Sequence, residues 1–418
     1  MIAPTPKPSR PRIAVLGAGF QGVCVALELA RRGCHVDLYD AADRPITRAG
    51  LVNEGKIHLG FVYANDDSRR TADRMIEGAL AFGDLITRWC GADALDDALS
   101  SPFLYGVHRD TMVDAAGVER HFAHVADRVR GRRYLGGILD APYRRLGARE
   151  TAAAFEGGAV TDAFRTGERS VHVGRLAERL RAALEAEPRI AVLPGSRILA
   201  AEADGRGVAL SIRASGNGAE DGAGPVRRER YPQVVNCLWE DRRRIDRSVG
   251  LPAEAPCLYR FKIGVTLDLA RPLPDLPSAT LMLGRFGDSV SFGGTSLFLS
   301  WYPACMIGRS RDLAPPDWEA ALDDATRERV AAATLDALGG LLPALRALDP
   351  RDIRHRRVAG GVIVAQGDTD IDDPDSGLHR RFEIGVRSQG GYHTVETGKY
   401  TTAPLFAVQA ADRVTGGG

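Results

Sequence analysis

The chain has 418 residues, 44% hydrophobic and 26% charged, the proportions of a folded protein large enough for two joined lobes and without extended disorder. Its 55 basic residues against 54 acidic ones leave a formal charge of +1, so no field exists to draw nucleic acid or acidic lipid. No apolar stretch approaches the roughly 20 residues of a membrane span, and the basic, proline-rich opening MIAPTPKPSRPR runs into a strand instead of an apolar signal core, so a cytoplasmic protein is expected.

Ile13 to Leu16 form a first strand that enters Gly17-Ala18-Gly19-Phe20-Gln21-Gly22, followed by a helix to Arg32. Gly17 permits the tight turn, Gly19 lets the backbone approach a pyrophosphate, and Gly22 lets the helix pack close to the strand. The helix N-terminus offers N–H groups to phosphates. Gly33 stops the helix, and Val36, Leu38 and Tyr39 make a second strand closed by Asp40, whose carboxylate suits ribose hydroxyls. Arg44, four residues on, is a possible adenine contact or a solvated arginine. The order strand, turn, helix, strand, acid points to a dinucleotide site.

In NEGKIHLGFVY, residues 53–63, glycines flank Ile57-His58, as where backbone packs on a flat ligand. Residues 69–91 read as a helix and 102–107 as a strand of a second lobe. A helix over 175–186 and a strand over 190–193 follow, then a hairpin of strands 197–203 and 207–213. Residues 214–230 read as a glycine-rich surface loop. Val234 to Asn236 form a strand, 257–303 alternate strand-like runs, and 315–345 are helical. Arg357–Ala365 and Phe382–Val386 read as strands of the nucleotide-binding lobe. In GKYTTAP, residues 398–404, Thr401 or Thr402 suits an N-cap and Pro404 the first helical turn. That makes a second positive helix end, suited to the negative charge of a reduced flavin. The six cysteines are scattered with no CxxC spacing and read as reduced, mostly buried thiols.

Taken together, Gly17–Gly22 with Asp40, the segment RAGLVNEGKIHLGFVYANDDS and GKYTTAP resemble the D-amino-acid-oxidase-like superfamily of FAD-dependent oxidoreductases. The middle segment is similar to the corresponding stretch of L-2-hydroxyglutarate and glycerol-3-phosphate dehydrogenases. The chain departs from the family at Cys237-Leu238-Trp239, where a small A-x-G usually follows the strand. The resemblance implies an α/β fold: a Rossmann-type FAD-binding domain (1–75, 165–250 and 350–418) with an interleaved substrate domain built on an antiparallel sheet plus helices (76–164 and 251–349). It implies non-covalent FAD held by Gly17, Ala18, Gly19, Phe20, Gln21, Gly22, Asp40, Arg44, Asn53, Gly55, Lys56, Ile57, His58, Ile198, Gly398, Lys399, Tyr400 and Thr401.

The expected reaction is removal of a hydride from a CH–NH or CH–OH carbon of a small polar, anionic substrate, with molecular oxygen or another acceptor taking the electrons. An L-2-hydroxy-acid dehydrogenase and an NAD(P)H-dependent flavin monooxygenase are the alternatives; for the latter, Gly367-Asp368 offers a late Gly-Asp, although an acidic loop follows it. His58, in the segment resembling a flavin wall, is the first choice for a base, or else holds its loop. Tyr302, Arg260 and Lys262 lie on strands expected to face the flavin, Arg260 and Lys262 on one side by period two. Arg387 matches the family's arginine for a substrate carboxylate. Lys399 or His393 could place positive charge by the flavin. His121 and His124 have metal-like spacing without further clustered ligands, so no metal is expected.

Overall fold

The computed structural model describes residues 11–156, 158–214, 224–252 and 255–416. One sheet has six strands in the order Ile190–Leu193, His35–Tyr39, Arg12–Leu16, Gln233–Asn236, Tyr392–Glu396, Gly385–Gln389. The first five run parallel and the last returns antiparallel. A parallel strand covered on both faces needs apolar residues at every position, and Ile13-Ala14-Val15-Leu16 supplies them. Ile13 and Val15 join the core shared with helices Phe20–Arg31 and Ala403–Thr415, while Ala14 and Leu16 join a second core with the antiparallel strands Ser196–Asp204 and Gly207–Ala214.

The parallel pairing sets Leu16 beside Asn236, so the glycine turn and the Cys237-Leu238-Trp239 turn meet at the carboxyl edge of the sheet. Ligands of open α/β sheets bind at such an edge. Gly17 has φ +91°, and a Cβ there would stand 2.9 Å from the Cys237 carbonyl oxygen. A Cβ on Gly22 would collide with the Gly17 carbonyl, which makes glycine necessary for the close strand–helix approach.

The second sheet has nine strands. Its spine, Cys257–Leu269, pairs with Met306–Ser310 and Ser296–Trp301 along one edge and with Ile353–Gln366 along its whole length on the other. Gly287–Phe292, Ser278–Met282, Phe103–His108, Val160–Thr166 and Tyr143–Arg145 extend it, and helix Asp324–Gly339 packs against it. A two-residue ladder, Lys56–Ile57 with Arg169–Ser170, lies apart from both sheets.

Several expectations are corrected. The strand containing Arg357–Ala365 belongs to the large sheet and not to the nucleotide-binding one, because every residue from Cys257 to Asp268 finds a partner on it. Of the expected loop 214–230, residues 215–223 lie outside the described residues, and Val226–Tyr231 is a strand paired with Gly207–Ala214. Tyr302 opens a short helical turn, Tyr302–Cys305, instead of lying on a strand. The first ten residues, read for a signal segment, also lie outside the described ones. Among the described residues the six cysteines form no disulfide, and five are buried. No helix among them is long and apolar enough to cross a membrane.

Candidate active site

Turns that follow strands of the six-stranded sheet and residues on the strands of the nine-stranded one line a cavity of about 450 Å³. At one end stand Gly17, Gly19 and Asp40, with Arg48 and the Cys237-Leu238-Trp239 turn. Asp40 Oδ2 accepts the Ala18 N–H at 2.6 Å and Oδ1 accepts the Ala42 N–H at 2.8 Å. Burial pushes this carboxyl up, and those N–H groups restrain the shift. Trp239 adopts φ +53°, a left-handed conformation that favours glycine, and its indole N–H donates to the Val362 carbonyl at 2.8 Å. The backbone at the family's departed position thus keeps a glycine-like turn while carrying an indole. Arg48 pairs with Glu240 at 2.7 Å, and both residues line the cavity.

Charged groups crowd the other end. Lys56 Nζ lies 2.9 Å from Asp288 Oδ1 and also donates to Thr280, and Lys262 Nζ lies 3.9 Å from Asp288. Burial opposes the charged form of Glu54, yet the ammonium groups of Lys262, Lys399 and Lys56 overcome it and draw the carboxyl down to about 2. Burial, reinforced by Arg381, lowers Lys399 to about 7 against the pull of Glu54. His58 is held well below the usual histidine range by burial and by the Lys399 and Lys56 cations, so its ring is neutral. Its backbone N–H donates to Thr401 Oγ1 at 2.9 Å, and Thr401 in turn donates to the Lys56 carbonyl, which ties the wall segment to the C-terminal loop.

Arg260, Tyr302 and Arg381 line the same cavity. Arg260 and Tyr302 both reach Asp370, whereas Arg381 Nε donates to the Leu378 carbonyl at 3.1 Å and its buried Nη1 has no hydrogen-bond partner. Burial, followed by the neighbouring Arg260, lowers even this guanidinium to about 10.

Of the residues named from the sequence, His58, Lys262, Tyr302 and Arg260 line the cavity, as do Gly17, Gly19, Phe20, Gln21, Asp40, Asn53, Lys56, Gly398, Lys399 and Tyr400. Ala18, Gly22, Gly55, Ile57 and Thr401 stand behind the wall and shape it: Gly55, at φ +64°, packs on the Val171 backbone. Four expectations fail on position. Arg387 projects from its strand toward Asp246, 3.7 Å away, and the Pro252 carbonyl. Arg44 is exposed, and Arg48 occupies the cavity instead. Ile198 points into the core between the sheets, and its carbonyl accepts from Arg244. His393 bonds Ser388 and Gln233, and burial lowers it to about 4. Asp368 lies in a surface hollow beside Arg309 and Arg311. His121 bonds the Gly60 carbonyl and His124 bonds Asp73, two separate structural tasks.

Residues 12–413 match the model of the FAD dependent oxidoreductase (DAO) family. The chain belongs to this family. Solved structures with the same fold include glycine oxidase from Geobacillus kaustophilus (15% identity, TM-score 0.68, covering 97% of this chain and 95% of that one). L-proline dehydrogenase from P. horikoshii (14%, TM-score 0.64, 98% and 95%) and iminodiacetate oxidase from Chelativorans sp. BNC1 (16%, TM-score 0.63, 97% and 95%) are similar as well.

The cavity of this flavoenzyme fits FAD. Gly19 lies at the N-terminus of helix Phe20–Arg31 on the cavity wall, and nothing comes within 4 Å of where its Cβ would stand, so a side chain there would fill the cradle. The carboxylate of Asp40 sits at the same end.

Sequence reasoning missed Arg381, Glu54, Asp288 and Glu168. Asp288 could have been found as a lone charge in the strand-like run GDSVSF, since a charge in a buried strand requires a partner. Glu54 lies inside the segment NEGKIHLGFVY itself. Arg381 and Glu168 sit on irregular stretches, where no periodicity tells inside from outside.

Proposed function

We propose that this flavoenzyme oxidises the CH–NH carbon of a small amine that carries a carboxylate. The observation that carries the reading is Arg381, a buried guanidinium on the cavity wall with which no carboxylate pairs among the described residues. A buried unpaired cation costs several kcal/mol, roughly, and a substrate carboxylate offers the missing acceptor in the geometry that guanidinium favours. Arg260 is already balanced by Asp370 at 3.2 Å. Glycine, L-proline and iminodiacetate, named in the similar structures, are all amine-bearing acids, which supports C–N over C–O oxidation.

FAD, when bound, supplies the two-electron acceptor. In this reading Gly17, Gly19 and the first turn of helix Phe20–Arg31 hold its pyrophosphate and Asp40 its ribose, while Asn53, Lys56 and Gly398–Tyr400 wall the flavin. Lys262, Lys56 and Lys399 supply a positive field for the anionic reduced cofactor and the substrate. Electrons then leave to molecular oxygen or another acceptor. The test is turnover of the FAD-loaded protein with an artificial electron acceptor across amino acids, N-alkyl amino acids and 2-hydroxy acids. Consumption of amine-bearing acids with release of a keto acid or aldehyde is expected; turnover confined to hydroxy acids would overturn the reading.

A further inference from the structure

Lys56 pairs with Ser170 and Ile57 with Arg169 in an antiparallel ladder, and one further step of that register sets His58 against Glu168. Glu168 has no exposed surface. Its Oε2 accepts the Leu59 N–H at 2.5 Å and its Oε1 accepts the Tyr105 hydroxyl; the same Oε1 lies 3.8 Å from His58 Nδ1. That Nδ1 is buried and has no hydrogen-bond partner. His58 lines the cavity, whereas Glu168 lies behind it.

We propose that His58 and Glu168 form a proton-accepting pair, in which the imidazole takes the proton leaving the substrate nitrogen and Glu168 steadies the opposite ring nitrogen and balances the new charge. This rests on the reading of the reaction as amine oxidation. The substrate N–H bond breaks and its proton passes to the ring, and the electron pair left on nitrogen forms the C=N bond. The C–H bond breaks and its hydrogen leaves with both electrons as hydride to FAD, so the amine is oxidised and FAD is reduced by two electrons. A ring protonated on both nitrogens turns Nδ1–H toward Oε1, and a shift of about 1 Å makes a charge-assisted bond. His58 is the catalytic residue here; Glu168, which acts through it, is a positioning residue.

The surroundings give the pair a defined pH response. Lys399, Lys56 and Arg381 face His58 with positive charge, while Asp288 and the aromatic neighbour Tyr63 complete its shell. Glu168 faces Lys56, Tyr105 and Asp288, with Tyr134 close by. Burial lifts Glu168 to about 7 against the opposing pull of Lys56, the Tyr105 hydroxyl and the Leu59 N–H. Below that pH the carboxyl is protonated and cannot balance an imidazolium; above it, it can.

Two measurements test the pair. In apoprotein labelled with ring-¹⁵N histidine, the His58 resonance, assigned by its loss in His58→Gln, is expected to shift as pH crosses about 7 and to lose that shift in Glu168→Gln. In the holoenzyme, the limiting rate of anaerobic flavin reduction is expected to fall as pH drops through the same value. Glu168→Gln should lower that rate about 100-fold and abolish the limb with substrate affinity unchanged, and Glu168→Asp should restore part of both. If Glu168→Gln does not fold, His58→Gln carries the kinetic test with the carboxyl in place. An unchanged His58 titration in Glu168→Gln, or a pH limb that survives in His58→Gln, overturns the proposal. A flavin that no amine reduces would instead defeat the reading of the reaction, and the resonance experiment would still decide the pair.

Discussion

Arg260 Nη1 donates to the Tyr302 hydroxyl at 3.0 Å, and both groups converge on Asp370 Oδ1, at 3.2 Å and 2.6 Å. Of Arg260 and Arg381, the first is therefore already neutralised, which separates their roles. Arg381→Met should raise the substrate dissociation constant about 10- to 100-fold, the worth of a charge-assisted bond. Arg260→Met should raise it less. Stopped-flow flavin reduction at varied substrate concentration measures both; equal effects would contradict the assignment.

Gly19 separates folding from cofactor binding. Its φ is −68° and its Cβ position is open, so the Cβ of Gly19→Val meets no protein atom, and the variant should cost the apoprotein only about 1 kcal/mol, the worth of the N-cap position. The same side chain fills the phosphate cradle. The variant is expected to purify colourless and to show no FAD binding by calorimetry.

Lys399 should destabilise the apoprotein below neutrality. Burial lowers it from an ordinary 10.5 to about 7, so between those values the unfolded chain binds more protons than the folded one, and stability rises with pH across that window. Below pH 7 the penalty for charging the group is present in full. Thermal melts across pH should accordingly show Lys399→Met above the wild type below pH 7, with the difference shrinking as pH rises.

Behind the Cys237-Leu238-Trp239 turn, Arg242 is 1% exposed and binds Asp246 at 2.8 Å and Glu396 at 3.1 Å. Removing it leaves two buried carboxylates without the cation they share. Arg242→Ala is expected to cost about 3–5 kcal/mol in urea unfolding, far more than Arg387→Ala, whose side chain is only partly buried.

The nucleotide-binding edge was legible because its signals are local: an apolar run, three glycines with separate steric tasks and an acid at a fixed distance. The end where chemistry occurs was less so. Arg387 looked like the carboxylate clamp, yet strand pairing with Tyr392–Glu396 aims it at Asp246, and the cavity arginine without a carboxylate partner among the described residues is Arg381, on a stretch without repeating structure. Arg44 and Arg48 lie in one loop and both are exposed, and nothing in the sequence tells which of them borders the cavity. Ile198 alternates inward by the period of its own strand. The long strand Ile353–Gln366 hid its partner because its charged first half, IRHRR, reads as surface, although the length of Cys257–Leu269 requires a neighbour of equal length.

In the proposed reaction this cavity oxidises an amine held by its carboxylate. Anaerobic mixing of the FAD-loaded protein with an amino acid, the matching 2-hydroxy acid and the matching decarboxylated amine, followed by visible flavin absorbance, tests it most directly. Bleaching by the amino acid alone is the expected result. Bleaching by the hydroxy acid in its place, or by the decarboxylated amine equally well, would contradict the account.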